Sequence, residues 1–357
     1  MSGATAPRAQ EPRLLAVPDK FRGTVTAHEA ARAIAEAGAA QGWETDESPL
    51  SDGGDGLIEV LRPFGGERRS AVVEGPNGAT LQAEWLLFDG LAVVEMARAS
   101  GLALVGGAEG NDVMGATTRG TGQLIAEAVR CLGDGPRPRP GQRHRIVVGL
   151  GGSATTDGGL GAISAIEEAG GLGGIDLIGA CDVQVGFDEA VTQFSRQKGA
   201  TDEQLVELAD RFARLAQLYR DRFGLDVTTM AGAGAAGGLG AAIAALGGRL
   251  RSGFEIVAGM VGLDRKLAEH PVVVTGEGSL DLGSFAGKVV GSVIERAADS
   301  GLACLVIAGQ ADVAARRRAE GLGARVVSLA DLFGVTRSMS DTRACITDAT
   351  AGYLARY

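Results

Sequence analysis

Short runs rich in β-branched residues alternate along the chain with longer stretches whose apolar positions recur every three to four residues. The first pattern predicts buried strands and the second predicts amphipathic helices. Strands are expected at Leu14–Val17, just before Leu50, at Ile146–Val148, and later at Val272–Thr275, Cys304–Ala308 and Arg325–Leu329. Helices are expected from Thr26, where Thr26 and Glu29 form a capping box, to about Ala40, and from about Leu160 onward. Another opens at Thr201 and Gln204 and runs to about Phe223, with Leu205, Leu208, Phe212, Leu215 and Tyr219 on one face. Strands alternating with helices in this way predict an α/β class with a largely parallel sheet.

The texture changes at about residue 69. RRSAVVEGPNGATLQAEWLLFDGLAVVEMA reads as antiparallel strands turned by PNG. ATTRGTGQLIAEAVRCLG reads as a capped helix, and GDGPRPRPGQRHR as a solvated surface loop. The Gly/Ala-rich run at 231–248 either lets backbones approach closely or cradles a ligand. After about His270 the strand–helix alternation resumes. One domain made of both chain ends, 13–68 with 271–357, and a second at 69–270 inserted into it account for these changes, with residues 1–12 as a disordered tail.

Composition narrows the function classes. A formal charge of −10 argues against general affinity for nucleic acid or an anionic membrane. Cys131, Cys181, Cys304 and Cys345 are widely spaced, which fits neither a zinc site nor a disulfide framework. The N-terminal residues show no apolar signal core, so a soluble cytoplasmic protein acting on small molecules is expected, as a monomer or homodimer.

Four polar, glycine-rich loops are expected after strands: PDKFRG (18–23), SDGGDG (51–56), GLGGSATTDGG (149–159) and TGEGSLDLGSFAGK (275–288). In a parallel sheet such loops gather at the carboxyl ends of the strands, where α/β enzymes bind ligands. Together they carry Lys20, Arg22, Asp52, Asp55, Asp157, Glu277, Asp281 and Lys288. Cations, carboxylates and bare amides in this mixture suit phosphate with a divalent metal, because phosphoryl transfer needs mainly positioning and charge neutralisation. GLGGSA also matches the dinucleotide fingerprint GxGxxA, but it lies mid-chain and no acid follows where a ribose would be held. GSFAGKV is one residue too short for a Walker loop and has Val289 where Ser or Thr would bind metal. His28, His144 and His270 give little support to histidine-based catalysis, and GGSAT is not a nucleophile elbow.

In the same order along the chain, APDKFRGTVTAHEAA, SDGGDG, TTRGTGQLI, GLGGSATTDGG, CDV, QKGAT, GAGAAGGLGAA and TGEGSLD…GK resemble the motifs of the bacterial type I glycerate kinase family, from about Leu14 to Leu332. The resemblance implies two α/β domains, one flavodoxin/Rossmann-like and formed by both chain ends, the other an inserted mixed-sheet domain. It also implies phosphorylation of D-glycerate by ATP with Mg²⁺, the expected product being 2-phosphoglycerate. Some positions depart from the family pattern: Gly110-Asn111-Asp112 replaces Arg-Asn-Pro, Arg119 replaces a Tyr, and Ser279 replaces an Arg. Arg22 and Arg119 are candidates to compensate opposite the glycerate carboxylate.

With that reaction as the expectation, Gly151, Gly152, Ser153 and Thr155 would hold phosphate at a helix N-terminus, with Lys198 beside them. Asp157 or Asp182 would orient the acceptor hydroxyl or bind Mg²⁺. Lys20 and Lys288 are further catalytic candidates, and Arg22, Asp52, Glu277 and Asp281 are candidates for the substrate. Two other readings are a nicotinamide-dependent dehydrogenase using GLGGSA and a non-catalytic nucleotide or hydroxy-acid sensor on the kinase fold.

Overall fold

The computed structural model describes residues 12–136 and 141–356. Most of the expected N-terminal tail and part of the Pro/Arg-rich loop lie outside the described residues. The chain divides into two compact units. Unit 1 comprises residues up to Leu50 with those from Val261 onward, and unit 2 is Ser51–Met260. In chain order the strands are β1 (Arg13–Ala16), β2 (Glu44–Glu47), β3 (Glu67–Glu74), β4 (Thr80–Phe88), β5 (Leu91–Glu95) and β6 (Arg145–Gly149). They continue with β7 (Asp176–Ala180), β8 (Arg249–Arg251), β9 (Val272–Leu280), β10 (Ala303–Ala311) and β11 (Arg325–Ser328).

Unit 1 is a five-stranded parallel sheet in the order β11-β10-β9-β1-β2. Counted within the unit, this is the doubly wound order 2-1-3-4-5 of flavodoxin-like folds. Both faces are covered, which explains the unbroken apolar runs. Along β10, Leu305 and Ile307 join one core with Leu14, Val272 and Ile346, while Cys304, Val306 and Ala308 join another with Val290, Ile294 and Ala319. The Ala27–Ala39 helix opens with the expected capping box between Thr26 and Glu29.

Unit 2 is a six-stranded mixed sheet, β3-β4-β5-β6-β7-β8. β3, β4 and β5 are antiparallel, and β5 to β8 are parallel. One large core gathers Trp85, Ile125, Val148, Ile163, Phe187 and Tyr219. Thr201 and Gln204 cap the Asp202–Phe223 helix as expected, and Leu208, Phe212, Leu215 and Tyr219 on its inner face are buried.

Two expectations change. TGEGSLD is not a loop, because β9 continues through it to Leu280, pairing Gly276 with Ile307 and Glu277 with Ala308. Its polar sequence hid the strand, whose burial there comes from β10 and from the PDKFRG loop. The Arg119–Asp134 helix has no side-chain cap from its own N-cap residue Thr118. The carboxylate that reaches the Thr118 N–H belongs to Asp157.

Candidate functional site

The carboxyl ends of β5, β6 and β7 in unit 2 carry Glu95, the GLGGSATTDGG loop and Asp182. The loop lies against two other glycine-rich segments at backbone contact. A Cβ on Gly151 would sit 2.5 Å from Gly54 Cα, and one on Gly237 would sit 1.9 Å from the Thr155 carbonyl oxygen. The Gly/Ala run at 231–248 therefore serves close approach. Ala236, Gly237 and Gly238 all take left-handed backbone angles, which for Ala236 is a strained conformation.

Two expected ligands in this loop, Thr155 and Asp157, turn inward, as does the neighbouring Thr156. The Thr155 hydroxyl donates to the Ala236 carbonyl and the Thr156 hydroxyl to that of Val113. Asp157 is saturated: Oδ2 accepts from Thr117 Oγ1, Thr118 N, Thr118 Oγ1 and Gly161 N, and Oδ1 accepts from Gly159 N. It fastens the starts of the Arg119–Asp134 and Leu160–Glu168 helices, where the dipole favours an anion. Lys198 is buried and donates from Nζ to the Thr155 carbonyl at 2.8 Å. Burial lowers its pKa to about 8, against the pull of Asp157. Arg119, a candidate for the substrate carboxylate, is consumed by a two-pronged pair with Glu168 and by Glu74.

What the loop presents is its first half. Among the described residues, the N–H groups of Gly151, Gly152 and Ser153 and the Ser153 hydroxyl make no hydrogen bond. Beside them lies an acidic pair. Asp182 Oδ1 accepts from Ser252 Oγ at 3.0 Å and Gly253 N at 2.8 Å, which caps the Gly253–Val261 helix. Its Oδ2 is buried without a partner. Burial, reinforced by the Asp52 carboxylate, pushes the Asp182 carboxyl up to about 7. Asp52 itself accepts from Gly54 N at 3.0 Å.

Two carboxylates converging with one buried oxygen unsatisfied suit a hard divalent cation. Among the described residues no group of three or more potential metal-ligating side chains forms.

Unit 1 carries a second cluster. In the order β9-β1-β2 the connections leave β1 to opposite sides of the sheet, to β2 on one and to β9 on the other, so a crevice is expected beyond the carboxyl ends of β1 and β9. Asp19 N donates to the Gly276 carbonyl at 2.9 Å there, and the PDKFRG turn is closed by a bridge between Phe21 and Val25. Glu277 Oε1 is buried without a hydrogen-bond partner. Burial raises the Glu277 carboxyl to about 7, with Asp19 and Asp281 adding to the rise and Ser284 and Lys288 opposing it. Lys288 precedes the Val289–Asp299 helix, and Arg22 is exposed.

Sequence reasoning passed over three residues. Glu95 ends the apolar strand β5 and Arg98 follows it, and the charge ending LAVVE was the available signal. Asn111 donates from Nδ2 to the carbonyls of Ala154 and Lys198, tying the loop to the segment that carries the buried lysine. It is the asparagine kept in the Gly110-Asn111-Asp112 triplet, which was noted for its substitutions and given no role.

The glycerate kinase family model matches residues 14–169 and 167–356. The chain is 36% identical over 315 residues to the glycerate 2-kinase of Escherichia coli K12, covering 78% of this chain and 80% of that protein. It is 34% identical over 334 residues to a glycerate kinase of Halalkalibacterium halodurans, covering 83% and 85%. The crystal structure of a putative glycerate kinase 2 from Salmonella typhimurium LT2 superposes with a TM-score of 0.73 at 28% identity, covering 97% of this chain and 99% of that one. No helix among the described residues is long and apolar enough to cross a membrane.

Proposed function

The chain belongs to the glycerate kinase family, and on that premise we propose that it transfers the γ-phosphoryl group of ATP to D-glycerate, giving 2-phospho-D-glycerate, with Mg²⁺. The observation that carries this reading is the buried, unpartnered Oδ2 of Asp182 beside Asp52, next to three open amides of the GLGGSATTDGG loop.

The amides of Gly151, Gly152 and Ser153, with the Ser153 hydroxyl, would donate to phosphate oxygens. Asp182 and Asp52 would hold the cation, which when bound neutralises charge on the transferring phosphoryl group. Asp157, Thr155 and Lys198 become positioning residues that keep the loop in this shape. In unit 1, Lys20, Arg22, Lys288, Glu277 and Asp281 remain the groups proposed for anionic and hydroxyl recognition. Arg22 carries more weight now that Arg119 is engaged elsewhere. Glu277, held above the usual carboxylate range by burial, is suited to hydrogen-bond a substrate hydroxyl.

Pure protein with MgATP and D-glycerate, coupled through enolase with and without phosphoglycerate mutase, tests the reaction. Signal without mutase is expected and identifies the 2-phosphate; signal that needs mutase would identify the 3-phosphate. A folded sample that releases no ADP above background overturns the reading.

A further inference from the structure

Glu95 closes β5 and is 1% exposed. Its Oε1 accepts from Ile58 N at 2.6 Å, in the first turn of the Leu57–Leu61 helix. Its Oε2 accepts from Arg98 Nε at 3.0 Å. Arg98 in turn reaches Glu59 at 3.2 Å and Glu84 at 3.6 Å. A carboxylate buried this deeply is costly, and a buried ion pair is often replaceable by apolar packing without loss of stability. A five-residue helix is a small stability return for such an arrangement.

What the arrangement does is local and geometric. The Leu57–Leu61 helix is the exit of the SDGGDG loop, which carries Asp52. That loop turns through Gly53 and Gly56, both at positive φ, and hands over directly to the helix whose first turn Glu95 holds. The β5–β6 register places Glu95 opposite Gly149, and Met96 N donates to the Gly149 carbonyl at 3.1 Å. One strand end thus holds the SDGGDG exit through Glu95 and the start of the GLGGSATTDGG loop through Met96.

We infer that Glu95 is a positioning residue that acts through Asp52, pinning the SDGGDG exit by way of the Ile58 N–H so that Asp52 stays beside Asp182. Arg98 orients the Glu95 carboxylate for this purpose. The inference rests on the cation role proposed above for Asp52 and Asp182.

The test is a double-mutant cycle on the full chain with Glu95→Gln and Asp52→Asn. In Glu95→Gln the amide oxygen can still accept from Ile58, but the amide NH₂ confronts Arg98. Turnover on MgATP and D-glycerate, Mn²⁺ affinity by calorimetry in the presence of ATP, and thermal stability are measured for each protein. Glu95→Gln is expected to lower kcat roughly ten- to hundredfold with a small stability change. It should also weaken Mn²⁺ binding, and the double variant should be no worse than Asp52→Asn alone, because a residue acting through Asp52 has nothing left to position. Effects that multiply, or a loss accounted for by unfolded protein, overturn the inference. Arg98→Lys is the second variant should Glu95→Gln fail to fold; it is expected to show a smaller loss that also vanishes in the Asp52→Asn background, and a loss that persists there overturns the inference. A wild type that does not turn over glycerate, while the Mn²⁺ cycle is non-additive, removes the substrate assignment and leaves the positioning role standing.

Discussion

Asp157 and Asp182 both end glycine-rich or strand-end segments of unit 2, yet their surroundings separate them. Asp157 accepts five hydrogen bonds, from Thr117, Thr118 twice, Gly159 and Gly161, so Asp157→Ala strands backbone donors at two helix starts. A loss of about 2–4 kcal/mol in urea unfolding is expected, from several unmade buried bonds at ~1 kcal/mol or more each. Asp182→Asn keeps an oxygen for Ser252 and Gly253, so stability should change little while kcat falls roughly 10²-fold or more in the coupled assay. Glu277 gives a pH signature. Burial holds its folded pKa at about 7, above an unfolded value near 4.3, so the folded chain keeps a proton that the unfolded chain has released. Its contribution therefore falls as pH rises from about 4.5 to about 7. Glu277→Gln should gain stability relative to wild type across that window and keep the gain above it, as measured by urea midpoints at a series of pH values.

Elements were legible wherever periodicity and capping agreed, as for the Ala27–Ala39 and Asp202–Phe223 helices and the buried cores of β1, β6 and β10. They were not legible where a neighbour supplied what the local residues lack. β9 runs through Gly276-Glu277-Gly278 because β10 and the PDKFRG loop pack on it, and polar glycine-rich sequence carries no trace of that. The same holds for glycines. Gly151 lies 2.5 Å (from its ideal Cβ position) off Gly54 Cα, whereas Gly133, in the Arg119–Asp134 helix, has nothing within 4 Å. Gly151→Ala should force two loops apart, destabilise by about 1–3 kcal/mol as overpacking does, and impair turnover. Gly133→Ala should stabilise by up to about 1 kcal/mol through helix propensity. Thermal melts of the two variants shifting in the same direction would contradict this account.

Each unit of the molecule has its own sheet, unit 1 with a core on either face and unit 2 with one large core, and unit 2 is a continuous stretch, Ser51–Met260. Expressed alone, 51–260 is expected to melt cooperatively; a broad, non-cooperative transition by circular dichroism would show that its core is insufficient. At this scale the sequence already specified the α/β class of the chain and its family, because apolar spacing, turn glycines and motif order are local properties. It also singled out the glycine-rich loops from which the proposed site is drawn. Which acids among them are occupied and which are open required the tertiary structure. Asp157 finds three of its five bonds 39 and 40 positions upstream, Asp182 finds its own 70 and 71 positions downstream, and Glu95 reaches back 37 positions to Ile58. A carboxylate's work is set by the donors within 3 Å of its oxygens, and distances of that kind along the chain leave no periodic trace.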